Sequence, residues 1–263
     1  MPGLSVAYIT CNAERCFAES LASVAGVADE IVVVDSGSSD RTLAIAKRFG
    51  AQVHVRDWPG FGPQKQFAIE QASHDWVLVL DADEVLLPPA SGSIRDALAT
   101  DTLPVGFVLR RYNYFHGKRI RFGDWGRDKV LRLVDRRRGR FSDDTVHERW
   151  IADGPVRRLD ATIGHYSFEN YKAMLAKLDR YSDLAAHSMV ARGRVVRRYE
   201  PPVHAVSAFV KSYILRLGLL DGSDGAGIAL MTALGSFMKY AKALEIRQSS
   251  APRATIGPNE PKS

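Results

Sequence analysis

The sequence is poor in cysteine, which limits the kinds of domain it can form. Cys11 and Cys16 are the only two cysteines in 263 residues, and they lie close together near the N-terminus. They have no further partners with which to build a disulfide framework. We therefore expect a fold held together by a hydrophobic core, in a protein of the reducing cytoplasm.

Long apolar runs are also missing. No stretch reaches the roughly 18 uninterrupted apolar residues of a membrane-spanning helix. The first segment, MPGLSVAYITCN, has neither a basic start nor a long apolar centre, so we expect a β-strand there and no signal peptide. With 46% hydrophobic and 25% charged residues, the composition is that of an ordinary globular protein, long enough for one domain and an extension.

Positive charge is unevenly distributed, although the net charge is only +6. Residues 110–140 hold twelve Lys/Arg against three Asp, and residues 192–216 hold six against one acidic residue. Such a face could attract nucleic acid, an anionic membrane or a phosphorylated substrate. Aromatic residues interleave the first stretch, which favours a binding surface: Tyr112, Tyr114, Phe115, Phe122 and Trp125.

The first ninety residues alternate between apolar strands and helices. This alternation is typical of a parallel sheet covered on both faces, whose ligands collect at the carboxyl ends of the strands. The predicted strands are 4–10, 30–36, 51–57 and 76–81, and the predicted helices are 13–24, 40–49 and 64–72.

After Pro88 the pattern changes. A helix over 94–99 and strands over 106–115, 129–135 and 147–159 predict an antiparallel second half.

From Glu169 the spacing of apolar residues predicts helices. A basic break at 192–198 and Pro201-Pro202 separate a first helix from two amphipathic segments, with stripes over 206–217 and 230–241. Arg192, Arg194, Arg197 and Arg198 in this break predict salt-sensitive peripheral attachment to the anionic inner membrane, with packing of the helices on the catalytic domain as the alternative. The predicted organisation is a catalytic domain (1–166, with halves 1–90 and 91–166), a helical region (167–248) and a disordered tail (249–263).

The motif IVVVDSGSSDRT ends a buried strand on Asp35 and turns through Gly37. A carboxylate there can accept from a uracil N–H or a ribose hydroxyl, and glycine lets the backbone approach a flat base. A capped helix after a tight turn explains the same residues. Asn12 and Glu14 follow the neighbouring strand, and we count them with Asp35 as candidates for donor binding.

The segment GFGPQKQFAIEQA places Lys65 near the start of a helix, after a glycine-rich loop. A lysine there can hold a phosphate as a point charge. A surface lysine is the commoner explanation.

The strongest motif is VLVLDADE, in which a buried strand ends on three carboxylates: Asp81, Asp83 and Glu84. Like charges this close repel each other unless something neutralises them. Hard divalent cations bind through one or two carboxylates plus substrate phosphates. The motif therefore predicts a metal site at Asp81 and Asp83 that holds a nucleotide diphosphate, with a phosphatase nucleophile loop or a solvated strand end as alternatives.

In combination, VVVDSGSSDRT, GFGPQKQFA and LDADE resemble the family 2 inverting glycosyltransferases, which have the GT-A fold. Further segments resemble the lipopolysaccharide-core enzymes that add β-1,4-linked glucose to the inner-core heptose: FGDWGRDKVLRL, VHERW, GHYSFENY and ILRLGLLDGSDG. The fold expected is α/β and GT-A-like: a Rossmann-like, mostly parallel sheet, an antiparallel acceptor half and C-terminal amphipathic helices.

The resemblance also implies ligands and roles. The donor would be a UDP-sugar bound with Mg²⁺ or Mn²⁺, and the acceptor a lipid-linked, phosphorylated saccharide at the inner leaflet, with no nucleic-acid partner. Asp128 resembles the family's base position, with Asp124 and Glu148 as alternatives, and Asp81 would also contact the donor. His165, in GHYSF, would reach the metal or the pyrophosphate, with a structural histidine as the alternative.

Two rival functions fit part of the sequence. Haloacid-dehalogenase phosphatases read D-x-D after an apolar strand and need a later GDxxxD, which Gly123, Asp124 and Asp128 supply. Position argues against them, because their nucleophile strand opens the sheet, whereas three strand–helix units precede Asp81. The other rival, a membrane-surface adaptor without catalysis, leaves the strand-end aspartates without a purpose.

Overall fold

The computed structural model describes residues 2–143 and 148–250, and the chain divides into two compact units between Asn170 and Tyr171. The predicted boundary, after residue 166, lies four residues earlier. The first unit combines strands and helices, and the second is helical.

Within its described residues, the first unit contains eleven strands and four helices. The strands are β1 (Leu4–Thr10), β2 (Glu30–Asp35), β3 (Gln52–Val55), β4 (Trp76–Asp81), β5 (Glu84–Leu87), β6 (Gly106–Phe115), β7 (Lys118–Arg119), β8 (Asp128–Asp135), β9 (Gly139–Phe141), β10 (Trp150–Ala152) and β11 (Val156–His165). The helices are α1 (Glu14–Val24), α2 (Thr42–Arg48), α3 (Phe61–Glu70) and α4 (Ala90–Leu98).

One large sheet runs in the order β3-β2-β1-β4-β8-β6-β11-β5, with β7 on β6, while β9 and β10 form a separate ribbon. The first four strands are parallel. Strand β8 then enters antiparallel between β4 and β6, β11 is parallel to β6, and β5 is antiparallel to β11. The predicted α/β class, with a mostly parallel sheet and an antiparallel second half, is confirmed.

Two apolar layers cover the sheet, because successive residues of a strand point to opposite faces. On β1, Val6 and Tyr8 pack with Phe17 of α1 on one face, while Ala7 and Ile9 pack on the other with α3 and the β9–β10 ribbon. A strand buried on both faces reads as a continuous apolar run, and this explains why β1 and β4 are clear in the sequence.

Two strand predictions need correction. The run predicted as one strand over 147–159 divides into β10 and β11, because the chain turns at Gly154, whose φ of +141° suits glycine. Its first residue, His147, lies outside the described residues. Strand β5 was not predicted, because it begins on Glu84, and acidic residues are poor strand formers.

The second unit contains α5 (Tyr171–Ala191), α6 (Glu200–Phe209) and α7 (Gly222–Ser250). The predicted basic break separates α5 from α6, and the two prolines lie in the first turn of α6, where a missing N–H does no harm. A π-helical segment, Val210–Leu215, and a 3₁₀ turn, Gly218–Asp221, lead into α7.

The core of this unit is small and combines aromatic with small aliphatic side chains. Tyr240 of α7 stacks on His204 of α6 with ring centroids 4.1 Å apart, and Ala186 and Ala243 are fully buried. The predicted disordered tail lies outside the described residues from 251 onward, whereas Ser249 and Ser250 belong to α7.

No single helix of the described chain is long and apolar enough to cross a membrane. The segments Glu200–Leu215 and Gly218–Ser249 meet the length and composition criteria only as a pair, bent by 70°.

Candidate active site

The carboxyl ends of β1, β2 and β4 lie side by side, as the sequence predicts. Asp35, at the end of β2, is completely buried and forms four hydrogen bonds. Its Oδ1 accepts from the hydroxyls of Thr10 (2.7 Å) and Ser38 (2.6 Å), and its Oδ2 accepts from the N–H groups of Gly37 (2.9 Å) and Ser38 (2.7 Å). Asp35 therefore shapes the turn, and its contact with a donor stays a prediction.

Asn12 and Glu14 brace the same turn from the β1 side. The Asn12 Oδ1 accepts from the N–H of Ser39 (2.9 Å), and the Glu14 Oε2 accepts from the N–H and Nε of Arg41, each at 3.0 Å. The bonds from Arg41 lower the pKa of Glu14. Three of the predicted donor-binding residues thus lie together at one edge of the sheet.

The LDADE motif forms a tight connection between two strands. Asp81 ends β4, Asp83 lies in the turn, and Glu84 begins β5. The Glu84 side chain is completely buried and bends back, so that its Oε2 accepts from the backbone N–H of Asp81 (3.0 Å). The three carboxylates therefore have different surroundings, because Asp81 and Asp83 are partly exposed and Glu84 is enclosed.

Alternating charges connect this motif to both neighbouring loops. We call the following seven residues the ionic chain: Glu148, Lys65, Asp81, Arg132, Glu84, Arg111 and Asp128. Lys65 Nζ donates to Glu148 Oε1 (2.7 Å) and Asp81 Oδ1 (2.8 Å). Arg132 Nη2 donates to Asp81 Oδ2 (2.5 Å) and Glu84 Oε1 (2.7 Å).

Arg111 completes the chain toward the second half of the unit. Its Nη1 donates to Glu84 Oε1 (3.0 Å), while its Nε and Nη2 donate to Asp128 Oδ2 (2.8 and 2.6 Å). Because Arg111 lies on β6 and Arg132 on β8, the antiparallel strands supply the cations that the β4 end requires.

The ionic chain controls the protonation of its carboxylates. Burial acts to raise the pKa of Asp81, but the charges of Arg132 and Lys65 outweigh burial and hold that pKa well below its usual range. Burial likewise opposes ionisation of Glu84, yet Arg132 above all lowers its pKa. The pKa of Arg132 is raised in turn, against burial, by Asp81 and Glu84. All three groups therefore carry charge at neutral pH.

These contacts correct the explanation offered for LDADE from the sequence. From the sequence, we expected the carboxylates to cluster because a metal ion and a nucleotide sugar bind between them. In the structure, protein cations already neutralise Asp81 and Glu84, and Lys65, expected to meet a phosphate, is only 2% exposed and binds two carboxylates. Arg111 and Arg132 were missed, although a charged residue within a predicted strand was the available signal, and Glu84 was named in the motif without its arginine partners.

Asp83 and His165 form the pair best suited to a divalent cation. His165 Nε2 lies 3.6 Å from Asp83 Oδ1, and His165 Nδ1 lies 2.7 Å from Asn113 Oδ1. An amide oxygen only accepts, so Nδ1 carries the proton, and Nε2 is the ring nitrogen that faces the carboxylate. A carboxylate oxygen and an imidazole nitrogen that face each other are ligands that a divalent cation can bind between.

This pair is a partial site and needs ligands from elsewhere. Among the described residues, no group of three His, Cys, Asp or Glu side chains could hold a metal ion. Mg²⁺ ordinarily keeps several waters and binds one or two carboxylates plus substrate phosphates, so two protein ligands are compatible with it. Both oxygens of Asp81 accept from cationic side chains, Lys65 and Arg132. The metal role of Asp81 therefore stays a prediction.

A cavity of about 120 Å³ lies beside this pair. Arg111, Asn113, Asp128 and His165 supply its polar wall, and Trp125 and Phe168, stacked with ring centroids 5.6 Å apart, supply much of its apolar wall. An apolar surface with a few convergent polar groups is usual for a small-molecule site, and aromatic faces suit the apolar face of a sugar.

Asp128 is the candidate base that faces the cavity. Its Oδ2 takes the bonds from Arg111, and its Oδ1 makes no hydrogen bond within the described part of the chain. Of the alternatives, Glu148 lies on Lys65, next to the undescribed residues 144–147, and Asp124 lies in the loop before β8. Neither is among the residues that line the cavity.

Comparison with known proteins identifies the family. The family model described as "Glycosyl transferase family 2" matches residues 5–152, more than half of the chain. The chain belongs to glycosyl transferase family 2. It is a glycosyltransferase with a GT-A-like fold, as the motifs led us to expect, and the phosphatase and adaptor alternatives are wrong.

Relatives span nearly the whole chain. A glycosyltransferase of Rickettsia typhi is 27% identical over 95% of this chain and 89% of its own length. The lipopolysaccharide core biosynthesis glycosyltransferase LpsC of Rhizobium meliloti is 29% identical over 89% of this chain and 92% of its own. A solved structure of S. aureus TarS with UDP covers 96% of this chain and 93% of its own at 15% identity, with a TM-score of 0.42.

Proposed function

We propose that this glycosyltransferase moves a hexose, with glucose as the first candidate, from a UDP-sugar to a heptose of the lipopolysaccharide inner core, inverting the anomeric configuration. One observation carries the proposal. His165, the partner of Asp83, and Asp128, the candidate base, line the same cavity. A leaving diphosphate and an attacking hydroxyl can therefore meet across a few ångströms.

The donor would bind along the edge formed by β1, β2 and β4. Asn12, Glu14 and Asp35 fix the turn that receives the nucleoside, and Asp83 faces the diphosphate. Lys65 has three N–H donors and two carboxylate partners, which leaves one donor for a phosphate oxygen or water.

Asp83 and His165 would hold the divalent cation, Mg²⁺ or Mn²⁺. When bound, the cation stabilises negative charge on the leaving diphosphate. Charge favours its binding, because the ionic chain has four carboxylates and three cations, and Asp83 adds another negative charge. Asn113 supports the site by fixing the proton on Nδ1 of His165.

The acceptor hydroxyl would lose its proton to Oδ1 of Asp128. Arg111 holds the other oxygen, so the carboxylate cannot rotate away from the cavity, and a positioned carboxylate within hydrogen-bond reach is what general base catalysis requires. Attack from the side opposite the diphosphate gives inversion.

The acceptor class is inferred from two sources. The name of the relative LpsC refers to the lipopolysaccharide core, and the motifs from GRDKVLRL to GHYSFENY resemble those of inner-core glucosyltransferases. Such an acceptor is lipid-linked and phosphorylated, which matches the basic residues of the helical unit and indicates peripheral attachment to the cytoplasmic face of the inner membrane.

A donor panel tests this function. The purified full chain is incubated with Mg²⁺ or Mn²⁺, an inner-core saccharide that ends in heptose, and UDP-glucose, UDP-galactose or UDP-N-acetylglucosamine in turn. We expect hexose addition, measured by mass spectrometry, to be fastest with UDP-glucose. Equal rates with a heptose-free saccharide, or no transfer from any UDP-hexose, would contradict the proposal.

A further inference from the structure

The excess positive charge of the molecule lies in its helical unit. Residues 171–250 hold twelve Lys/Arg against six Asp/Glu, while residues 1–170 hold 22 against 23. The catalytic unit is thus almost neutral. A charge excess confined to one unit indicates that this unit, and not the molecule as a whole, meets an anionic partner.

The same unit exposes a compact group of large aliphatic side chains. They lie where α6 and its π-helical extension bend by 70° into α7, and we call residues 214–220 the elbow. Soluble proteins expose single apolar residues routinely but seldom five within seven positions. The exposed fractions are 50% for Ile214, 73% for Leu215, 43% for Leu217, 43% for Leu219 and 56% for Leu220.

The elbow is a fixed structure and not a loose loop. The N–H of Leu217 donates to the carbonyl of Ile214 (3.0 Å), and the N–H of Leu220 donates to that of Leu217 (2.9 Å). A side chain at Gly225 could not be accommodated, because its Cβ would lie 1.9 Å from the carbonyl oxygen of Gly218. The backbone of the elbow is therefore held in one conformation.

Leu217 adds a sign of function. Its φ of +59° lies in the left-handed region, where glycine or asparagine is usual and other residues are strained. Strained backbone tends to persist at functional positions. Leucine is unfavourable here in two respects: its side chain disfavours the left-handed backbone, and 43% of its apolar surface is exposed to water.

Apolar stripes continue from the elbow along both helices. On α6, Val203 and Val206 are 56% and 63% exposed. On α7, Leu230, Leu234 and Phe237 recur at helical spacing and are 57%, 38% and 38% exposed. The apolar surface is therefore broader than the elbow alone.

Charge decides between a lipid surface and a second copy of the chain. Two copies joined through this surface would bring two units of the same positive charge together, which opposes association. Lys211, which is exposed beside the elbow, and Arg198 near the start of α6 would instead attract acidic headgroups.

We propose that the elbow inserts its aliphatic side chains into an anionic lipid surface and anchors the helical unit there without crossing it. This inference rests on the proposed function, because an anchor would bring the enzyme to a lipid-linked acceptor. It differs from the attachment expected from the sequence, which is electrostatic and depends on Arg192, Arg194, Arg197 and Arg198. Arg194 is held within the unit, by Glu200 (3.1 Å) and over the ring of Tyr240.

Insertion is measured with an environment-sensitive fluorophore on the full chain. In a Cys11→Ser background, where the remaining Cys16 is buried, a single cysteine is placed by Leu215→Cys or, as control, Leu184→Cys, and labelled with nitrobenzoxadiazole. Leu184 is also an exposed leucine of the helical unit, at 42%.

With vesicles of phosphatidylethanolamine and phosphatidylglycerol, the label at 215 should shift to the blue and be quenched by spin-labelled acyl chains. The label at 184 should do neither. Equal responses at the two positions, or no quenching at 215, would overturn the proposal. The proposal would also be overturned if light scattering without vesicles showed a dimer of the chain and if Leu215→Asp dissociated that dimer.

A second experiment separates insertion from electrostatic attachment. Leu215→Asp should weaken co-sedimentation with the same vesicles at least about tenfold, because a leucine no longer leaves water, whereas Leu184→Asp should not. Part of the wild-type binding should survive about 1 M salt, at which surface charges are screened. Complete loss at that salt would mean that charge alone holds the protein. Circular dichroism checks that both variants fold.

Activity distinguishes this proposal from the function on which it rests. Leu215→Asp should transfer hexose to a delipidated acceptor at the wild-type rate and to a vesicle-borne acceptor more slowly. Equal loss with both acceptors would contradict a membrane role for the elbow. If the wild type transfers to neither acceptor while the label at 215 still inserts, the proposed function fails and the anchor stands.

Discussion

At the scale of single residues, the LDADE motif separates three tasks among three carboxylates. Glu84 is a buried structural group, Asp81 takes cations on both oxygens, and Asp83 faces His165. The sequence places all three at one strand end but does not distinguish them. The difference depends on Arg111 and Arg132, which come from strands 27 and 48 residues further along the chain than Glu84.

Removal of Asp83 tests its assignment to the metal. Asp83→Ala should abolish transfer and the part of UDP binding that depends on Mg²⁺ or Mn²⁺, while the thermal midpoint stays close to wild type, because the residue lies in a turn and outside the core. Calorimetry with UDP, with and without metal, measures this. Asp160→Ala, at a side chain 88% exposed, is the control and should change nothing. Near-normal transfer by folded Asp83→Ala would disprove the assignment.

Asn113 should also affect metal-dependent UDP binding, although its assigned role is to orient His165 and not to ligate the metal. Asn113→Ala removes the acceptor that keeps the proton on His165 Nδ1, and loss of such a support ordinarily costs about 10- to 100-fold in metal affinity. We expect weaker metal-dependent UDP binding that a higher metal concentration restores. Unchanged metal affinity would leave Asn113 as a packing residue.

The base is tested by paired isosteric changes. Asp128→Asn keeps the size of the side chain but cannot accept a proton, so UDP-sugar binding should survive while kcat falls about 10²-fold or more. Glu148→Gln should have a smaller effect on kcat, since Glu148 contacts Lys65 and does not line the cavity. Should Glu148→Gln show the large loss in kcat and Asp128→Asn the small one, the base is Glu148.

At the scale of secondary structure elements, the antiparallel strands do more than extend the sheet. Strands β6 and β8 carry Arg111 and Arg132 to the end of β4, and β5 carries Glu84 back toward them. Each of these residues is polar within a strand, which runs against strand propensity. The sequence therefore predicts the parallel strands well, where apolar runs dominate, and misses β5, which begins on the acidic Glu84.

Glu84 offers a test of stability at this scale. Glu84→Gln leaves two arginines with one fewer carboxylate in a buried site, and breaking such a pair costs about 3 kcal/mol or more in the free energy of unfolding. Denaturant unfolding at pH 7 measures the loss. Glu245→Gln, on an exposed position of α7, is the control.

The same variant has a defined pH dependence. Because the folded-state pKa of Glu84 lies below its ordinary value of 4.5, the contribution of its charge is complete above that pH and is lost as the pH falls through the folded pKa. The stability gap between wild type and Glu84→Gln should therefore be constant near neutrality and shrink below pH 4.5. A gap that grows on acidification would contradict the charged state assigned to Glu84.

At the scale of the whole molecule, the chain pairs a nearly neutral catalytic unit with a positively charged helical unit. The sequence predicts the catalytic fold and the helices because both follow from the spacing of apolar residues along the chain. It predicts basic attachment through the arginines but not the elbow, because 206–217 reads as one continuous stripe. Only the structure reveals the bend and the left-handed Leu217 that turn part of this stripe outward.

The anomeric configuration of the product tests the proposed single displacement. A metal-bound diphosphate at Asp83 and His165 and a base at Asp128, as proposed, predict a single displacement, so an α-linked UDP-glucose should give a β-glucoside. Proton NMR of the glycosylated acceptor reads this from the coupling constant of the new anomeric proton. A β-linked product that disappears with Asp128→Asn is the predicted result. An α-linked product would contradict the account, because one base facing the diphosphate cannot produce retention.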